Sequence, residues 1–238
     1  MWNNVKTTIF LLQTIGGIKL KYRCLVLDHD DTAVKSTPEI HYPSFLEAMK
    51  ILRPDMRQLS LEEFVSYCFN PGFLSLCKDI LKLNEDEQDF QYKLWKSYTK
   101  TNVPDFYPGF PELLEEFKKL GGIICVVSHS EREQIYRDYI LNCRFAPDLI
   151  FGWELEEYQR KPNPYPILQI MKRFNLDNHE LLVVDDLKPG LDMAIGCNVK
   201  FAGAGWSHIN PEIKDFMKKN SDYYFSTVDS FSKFILSE

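Results

Sequence analysis

Cys24-Leu25-Val26-Leu27-Asp28-His29-Asp30-Asp31-Thr32 is the stretch that decides the fold. Four apolar residues, too few for a helix, read as a buried strand. The strand then stops at three carboxylates and a hydroxyl. Crowding Asp28, Asp30 and Asp31 at one strand end costs stability, because like charges repel and raise one another's pKa. A divalent cation reverses that balance, since hard oxygen donors at the mouth of a sheet make a Mg2+ site. The plainer reading is a turn whose Asp caps the next helix. Three later segments with complementary chemistry, in a fitting order, argue against it.

Outward from that strand the chain divides in two. From about residue 36 to 105 the apolar spacing is helical and no buried-strand run appears. His41 to Leu52, Ser60 to Phe69, Gly72 to Leu83 and Glu85 to Lys100 have the pattern of amphipathic helices. Pro54 and Asn70-Pro71 punctuate them, and Ser60-Leu61-Glu62-Glu63 has a capping-box pattern. These helices are expected to form a lid inserted just after the first strand. From Tyr107 onward helix and strand alternate. The expected helices are Pro111 to Leu120, Glu131 to Asn142, Pro164 to Phe174 and Leu191 to Gly196. The expected strands are Ile123 to Val127, Leu149 to Phe151 and Leu181 to Val184. Such alternation predicts βαβ crossovers and a parallel sheet.

Ligands of an open parallel sheet bind outside the carboxyl ends of its strands. Ile123 to Val127 ends at Ser128-His129-Ser130, a hydroxyl and backbone N–H groups at a helix start, suited to phosphate oxygens. Arg160-Lys161-Pro162 brings a cation ahead of the next helix. Leu181 to Val184 ends at Asp185-Asp186, further candidate metal ligands. Singly, Ser128 is a helix cap, Lys161 a solvated surface charge and Asp185-Asp186 a turn. Together, in this order, they describe a site.

At these residues the chain resembles the haloacid dehalogenase (HAD) superfamily, in its phosphoglycolate-phosphatase-like branch. Asp28-His29-Asp30-Asp31-Thr32 is similar to the first motif, DxDGT, Ser128 to the second, Lys161 within Lys161-Pro162-Asn163-Pro164 to the third, and Asp185-Asp186 to the acidic fourth. The resemblance spans roughly residues 21 to 238. It includes the re-entry segment Tyr107-Pro108-Gly109-Phe110-Pro111-Glu112-Leu113-Leu114. Gly203-Ala204-Gly205-Trp206 and Asp222-Tyr223-Tyr224-Phe225 resemble that branch's tail. The resemblance implies an α/β fold: a Rossmann-like parallel sheet flanked by helices over 20–35 and 106–238, with an all-α four-helix C1 cap over 36–105.

The same resemblance implies a Mg2+-dependent phosphatase acting on a small phosphorylated metabolite. Asp28 would be the nucleophile and form an aspartyl phosphate. Asp30 would be the general acid and base. Ser128, His129 and Lys161 would bind phosphate. Asp28, Asp30 through its backbone carbonyl, and Asp186 would hold the metal, with Asp185 a direct or outer ligand. Asp192 is a weaker candidate, placed by its spacing on the helix that follows.

Several residues depart from the pattern. Asp31 stands where glycine is usual, so either the backbone avoids positive φ or Asp tolerates it. Lys35 falls where an acidic residue is common and would offset Asp31 in part. His29 is a packing or backbone-bonded histidine, or else touches substrate. A β-phosphoglucomutase-like phosphomutase would share the four motifs and add a cap-hinge histidine. His41 lies one residue late for that place and reads first as a cap surface residue. A non-catalytic binding protein on the same scaffold is the third alternative, disfavoured because Asp28 and Asp30 are both present. A dehalogenase fits less well, since the extra carboxylates make sense mainly with magnesium.

Composition narrows the class. The 238 residues are 45% hydrophobic and 26% charged, as in an ordinary globular protein. A net charge of −6 disfavours a nucleic-acid surface. Six cysteines without CxxC spacing are expected to be free thiols of a reducing, cytoplasmic compartment. Thr8-Ile9-Phe10-Leu11-Leu12 is too short to span a bilayer, and no signal-peptide cleavage site follows it. Residues 1–19 are therefore expected to be an extension: an edge strand, a loose tail, or a leader misread as protein. Ile15-Gly16-Gly17-Ile18-Lys19-Leu20 is what a purine-rich ribosome-binding site followed by a TTG start would spell.

Overall fold

A computed structural model describes residues 20–237; the expectations for residues 1–19 lie outside them. Six strands form one sheet: β1 (Cys24–Leu27), β2 (Ile123–Val127), β3 (Leu149–Phe151), β4 (Leu181–Asp185), β5 (Lys200–Ala204) and β6 (Tyr223–Phe225). Every pairing is parallel, and the order is β3-β2-β1-β4-β5-β6. The chain runs from β1 to β3 on one side and crosses to β4 on the other, so the switch in direction falls between β1 and β4. Leu27 is level with both Val126 and Val184. Asp28, Ser128 and Asp185-Asp186 therefore emerge along one edge.

The apolar runs do not alternate with polar residues because both faces of the sheet are covered. Leu25, Leu27, Val126, Leu182 and Val184 enter one core, while Cys24, Val26, Cys125, Leu181 and Val183 enter the other. The helices are α1 (Tyr42–Leu52), α2 (Leu61–Phe69), α3 (Glu85–Thr101), α4 (Phe110–Lys119), α5 (Arg132–Cys143), α6 (Tyr165–Phe174), α7 (Lys188–Gly196), α8 (Pro211–Asn220) and α9 (Val228–Leu236). Phe117 of α4, Tyr139 of α5 and Phe231 of α9 fill the first core. Ile170 of α6, Met193 of α7 and Met217 of α8 fill the second.

The helical insertion between β1 and α4 has its own small core around Phe45, Met49, Phe64, Leu76 and Leu83. The expected capping box at Ser60 and Glu63 starts α2, and a second one, Asn84 with Glu87, starts α3. Residues 72–83 do not form the single helix that their spacing predicts. A short turn, Phe73–Ser75, runs into a π-helical turn, Leu76–Ile80. The wide turn, closed by the Leu81 N–H on Leu76 O, lets the adjacent Leu76 and Cys77 both reach the small core.

Two further strands, β5 and β6, lie where the sequence pattern shows none. β5 carries Gly203 and two alanines, which weaken a strand signal. β6 is a three-residue, half-buried edge. Cys24 and Cys125 are buried free thiols in the sheet. Among the described residues no helix is long and apolar enough to cross a membrane.

Candidate active site

The centre of the site is a buried ion cluster at the ends of β1 and β4. Lys161 Nζ donates to Asp28 Oδ1 at 2.6 Å and to Asp185 Oδ2 at 2.7 Å. Lysine seldom sits this deep, 8% exposed, without paired carboxylates. Burial works against its ammonium, but Asp185 and Asp28 outweigh that and hold its pKa up. Burial also lifts the Asp28 carboxyl well above its ordinary value, with Lys161 opposing. Asp185 is pushed up to about 6 by burial, again against Lys161. Gly190 is required beside it, because a Cβ there would lie 2.1 Å from Asp185 Oδ2.

Asp186 adds a third carboxylate. Asp28, Asp185 and Asp186 each bring an oxygen within 4.8 Å of the others. Thr32 Oγ1 donates to Asp186 Oδ1 at 3.2 Å, and His208 Nε2 bonds Asp186 Oδ2. Burial disfavours a charged His208, but its bond to Asp186 and that residue's charge raise its pKa.

Asp30 faces a different set of donors. His41 Nε2 meets Oδ1 at 3.0 Å; Ser130 Oγ and Ser128 Oγ meet Oδ2 at 2.7 and 3.1 Å. Trp95 Nε1 donates to His41 Nδ1 at 2.9 Å. An indole N–H only donates, so the His41 proton of this arrangement sits on Nε2, aimed at Asp30. Burial would raise Asp30, yet His41 and Ser130 hold it well below the usual carboxylate range.

The remaining expectations sort by geometry. Asp31 takes up φ 57° and accepts from the Thr37 N–H at 3.1 Å, so Asp does tolerate the left-handed position. Burial pushes its carboxyl up to about 6. Lys35 forms no ion pair with it among the described residues; its N–H goes to Asp105 O. His29 is a buried packing histidine, its Nε2 3.2 Å from Asp138 Oδ2. The His129 ring does not face the carboxylates but bonds Lys161 O at 3.0 Å. Asp192 is exposed on α7. His41 is not a surface residue: Asp30 and Trp95 hold it from both sides.

Sequence reasoning named Ser130 only within Ser128-His129-Ser130 and gave its side chain no role, and it overlooked Trp95 and His208. Trp95 and His208 carry no local signal.

A family model for haloacid dehalogenase-like hydrolases matches residues 25–204. Three solved structures illustrate the likeness in fold. A predicted phosphoglycolate phosphatase from Haemophilus somnus superposes with TM-score 0.73 at 21% identity, covering 92% of this chain and 98% of its own. A haloacid dehalogenase-like family hydrolase from Streptococcus pneumoniae gives 0.71 at 16%, covering 90% and 99%. CbbY from Rhodobacter sphaeroides, in complex with phosphate, gives 0.66 at 15%, covering 87% and 94%. The comparison with curated proteins returns no match.

Proposed function

The chain belongs to the haloacid dehalogenase-like hydrolases, and on that premise we propose that it is a Mg2+-dependent phosphatase of a small phosphorylated metabolite. The observation that carries this reading is Lys161 bridging Asp28 and Asp185, with Asp186 and Asp30 beside them. Stability alone does not call for three buried carboxylates, Asp28, Asp185 and Asp186, gathered beside one ammonium.

In the proposed reaction an Asp28 carboxylate oxygen attacks phosphorus, and the bond to the ester oxygen breaks. Asp30, a carboxylate in the free protein, takes the proton of the phosphate monoanion and passes it to that oxygen, then takes one from the water that cleaves the aspartyl phosphate. Lys161 orients Asp28 and pairs with a phosphoryl oxygen. Ser128 Oγ turns from Asp30 to another phosphoryl oxygen, joined by N–H groups at the start of α5. His129 contributes through its backbone, since its ring is held on Lys161 O. The all-oxygen donor set of Asp28, Asp186, Asp185 and the Asp30 carbonyl suits a hard cation. Bound there, Mg2+ offsets negative charge on the transferring group.

Purified protein with Mg2+ and a panel of phosphomonoesters tests the reading. Phosphate release is expected, reversibly abolished by EDTA, and lowered by several orders of magnitude in Asp28→Asn, on the order of the 10³-fold or more a lost nucleophile costs. Release at the wild-type rate in that variant would falsify the assignment. The His41–Asp30 contact favours one second reading, a β-phosphoglucomutase-like phosphomutase. Interconversion of sugar phosphates without net phosphate release would select it.

A further inference from the structure

The two oxygens of Asp30 are held from different sides. Ser128 and Ser130, from the core, both reach Oδ2, whereas among the described residues Oδ1 is met by His41 alone, from the insertion. Two features of the insertion bring His41 there. The turn Thr37–His41 is wide, closed by the Tyr42 N–H on Thr37 O, so its hydrogen bond spans five residues where an α turn spans four. Behind the ring, Trp95 of α3 gives its indole N–H to Nδ1 at 2.9 Å. A half-buried tryptophan ordinarily packs in a core, yet Trp95 joins none of the three apolar clusters of the described residues. Its ring lies instead against Tyr92, with centroids 5.7 Å apart, and His41, at 6.1 Å. The same face of α3 is fixed beside the Ser128–Ser130 loop, where Lys96 binds Glu131 at 2.7 Å.

What the indole N–H does follows from imidazole chemistry. A neutral imidazole donates from one nitrogen and accepts at the other, and its neighbours choose which. With the proton on Nδ1, the ring would set one N–H against another and turn the Nε2 lone pair on the Asp30 carboxylate. Burial works against a charged ring and Asp30 outweighs it, raising the His41 pKa, yet a charged ring meets the same conflict at Nδ1. The indole N–H thus keeps the Nε2 proton on Asp30 Oδ1. In the proposed reaction Ser128 leaves Oδ2 for a phosphoryl oxygen, and the lone pair it frees is placed to take and pass the proton. His41 on Oδ1 then stops the carboxylate from turning that oxygen away.

Resting on the phosphatase reading, we propose that Trp95 is a positioning residue for proton transfer: its indole N–H fixes the His41 tautomer and, through it, the Asp30 carboxylate. Trp95→Phe keeps a ring beside Tyr92 and removes the N–H. It should lower kcat on an alkyl phosphate about fivefold to tenfold, the scale of one hydrogen bond, with KM within about twofold and an aryl phosphate nearly unaffected. In a His41→Asn background the same substitution should change neither ester, because the indole has nothing left to orient. Equal losses on alkyl and aryl esters, or the full loss persisting without His41, would make Trp95 a packing residue and overturn the proposal. Nitrogen NMR of the unsubstituted protein decides the tautomer without turnover. His41 Nε2 should carry the proton and Nδ1 none, and a proton on Nδ1 overturns the proposal. If no ester, an aryl phosphate included, releases phosphate, the phosphatase reading fails, while the nitrogen spectrum still reports the tautomer.

Discussion

Asp28 and Asp30 are two residues apart, yet their surroundings differ, as the different tasks proposed for them require. Asp28 is bound by a lysine and crowded by carboxylates, whereas Asp30 accepts from His41, Ser128 and Ser130. A group whose task is the proton and not phosphorus matters most where the leaving alkoxide is strongly basic. Asp30→Asn should therefore cost an alkyl phosphate about 10²-fold or more in kcat and an aryl phosphate about tenfold or less, on the usual scale of general-acid effects. Equal losses on both esters would make Asp30 a structural residue. Gly190 acts at the same scale, through sterics alone. Gly190→Ala places a methyl against the Asp185 carboxylate, which must shift and loosen Lys161. Overpacking of this kind costs about 1–3 kcal/mol, so thermal melting should fall by several degrees and turnover with it. A variant with unchanged Tm and activity would show that Asp185 has room that the structure denies it.

Among the elements, the inserted helices depend most on their ends. In α2, Glu63 accepts from Ser60 N and pairs with Arg57; in α3, Glu87 accepts from Asn84 N and pairs with Arg53. The Arg contacts first, then the capping N–H groups, lower both carboxyls to about 2. A folded pKa below the unfolded value means the unfolded chain binds the extra proton first. The stabilisation is thus complete above about pH 4.5 and is lost as pH falls towards 2. Circular dichroism melts should show the midpoint dropping through that window. Glu87→Gln should lower the midpoint at neutral pH and make it less sensitive to acid. An identical acid slope in the variant would remove Glu87 from the account. α5 supports the insertion from the core side. The Arg137 guanidinium binds the carbonyls of Thr99, Lys100 and Asn102, which the end of α3 leaves without helical partners.

For the whole molecule, we propose that the insertion is a lid hinged near Val34–Thr37 and Asp105–Gly109. The outgoing and returning connectors run side by side. Lys35 N bonds Asp105 O at 2.9 Å and Tyr107 N bonds Ala33 O at 3.0 Å, so they would bend as one ribbon. The insertion touches the core through Asn210 to Ser66 and Lys96 to Glu131, both at 2.7 Å, through Arg137 at the end of α3, and through Val65 and Phe69, which pack against the second core. The polar contacts open at little cost, whereas the apolar ones favour the closed position. Closure would keep water from the aspartyl phosphate until Asp30 is ready to use it. Small-angle scattering with Mg2+ and a phosphate-mimicking anion should show a smaller radius of gyration than the ligand-free protein, and hydrogen exchange at both hinges should slow. No change in either measurement would leave a rigid bundle that only adds stability.

The edge that carries the candidate site was legible in the chain because its signals are local. A four-residue apolar run must stop where Asp28 stands, and the runs ending at Val127 and Val184 bring Ser128 and Asp185-Asp186 to the same edge once the sheet is parallel. The Ser60 box was legible for the same reason, since both partners lie within one helical turn. Burial on both faces made β1, β2 and β4 readable as continuous apolar strands, whereas β5 and β6, small or half-exposed, gave no such run. Tertiary packing alone decided what each polar side chain meets. His41 lies eleven residues from Asp30, Trp95 is fifty-four from His41, and His208 is twenty-two from Asp186. No periodicity encodes those distances, because each depends on how a helix of the insertion or a loop beyond β5 is laid across the sheet.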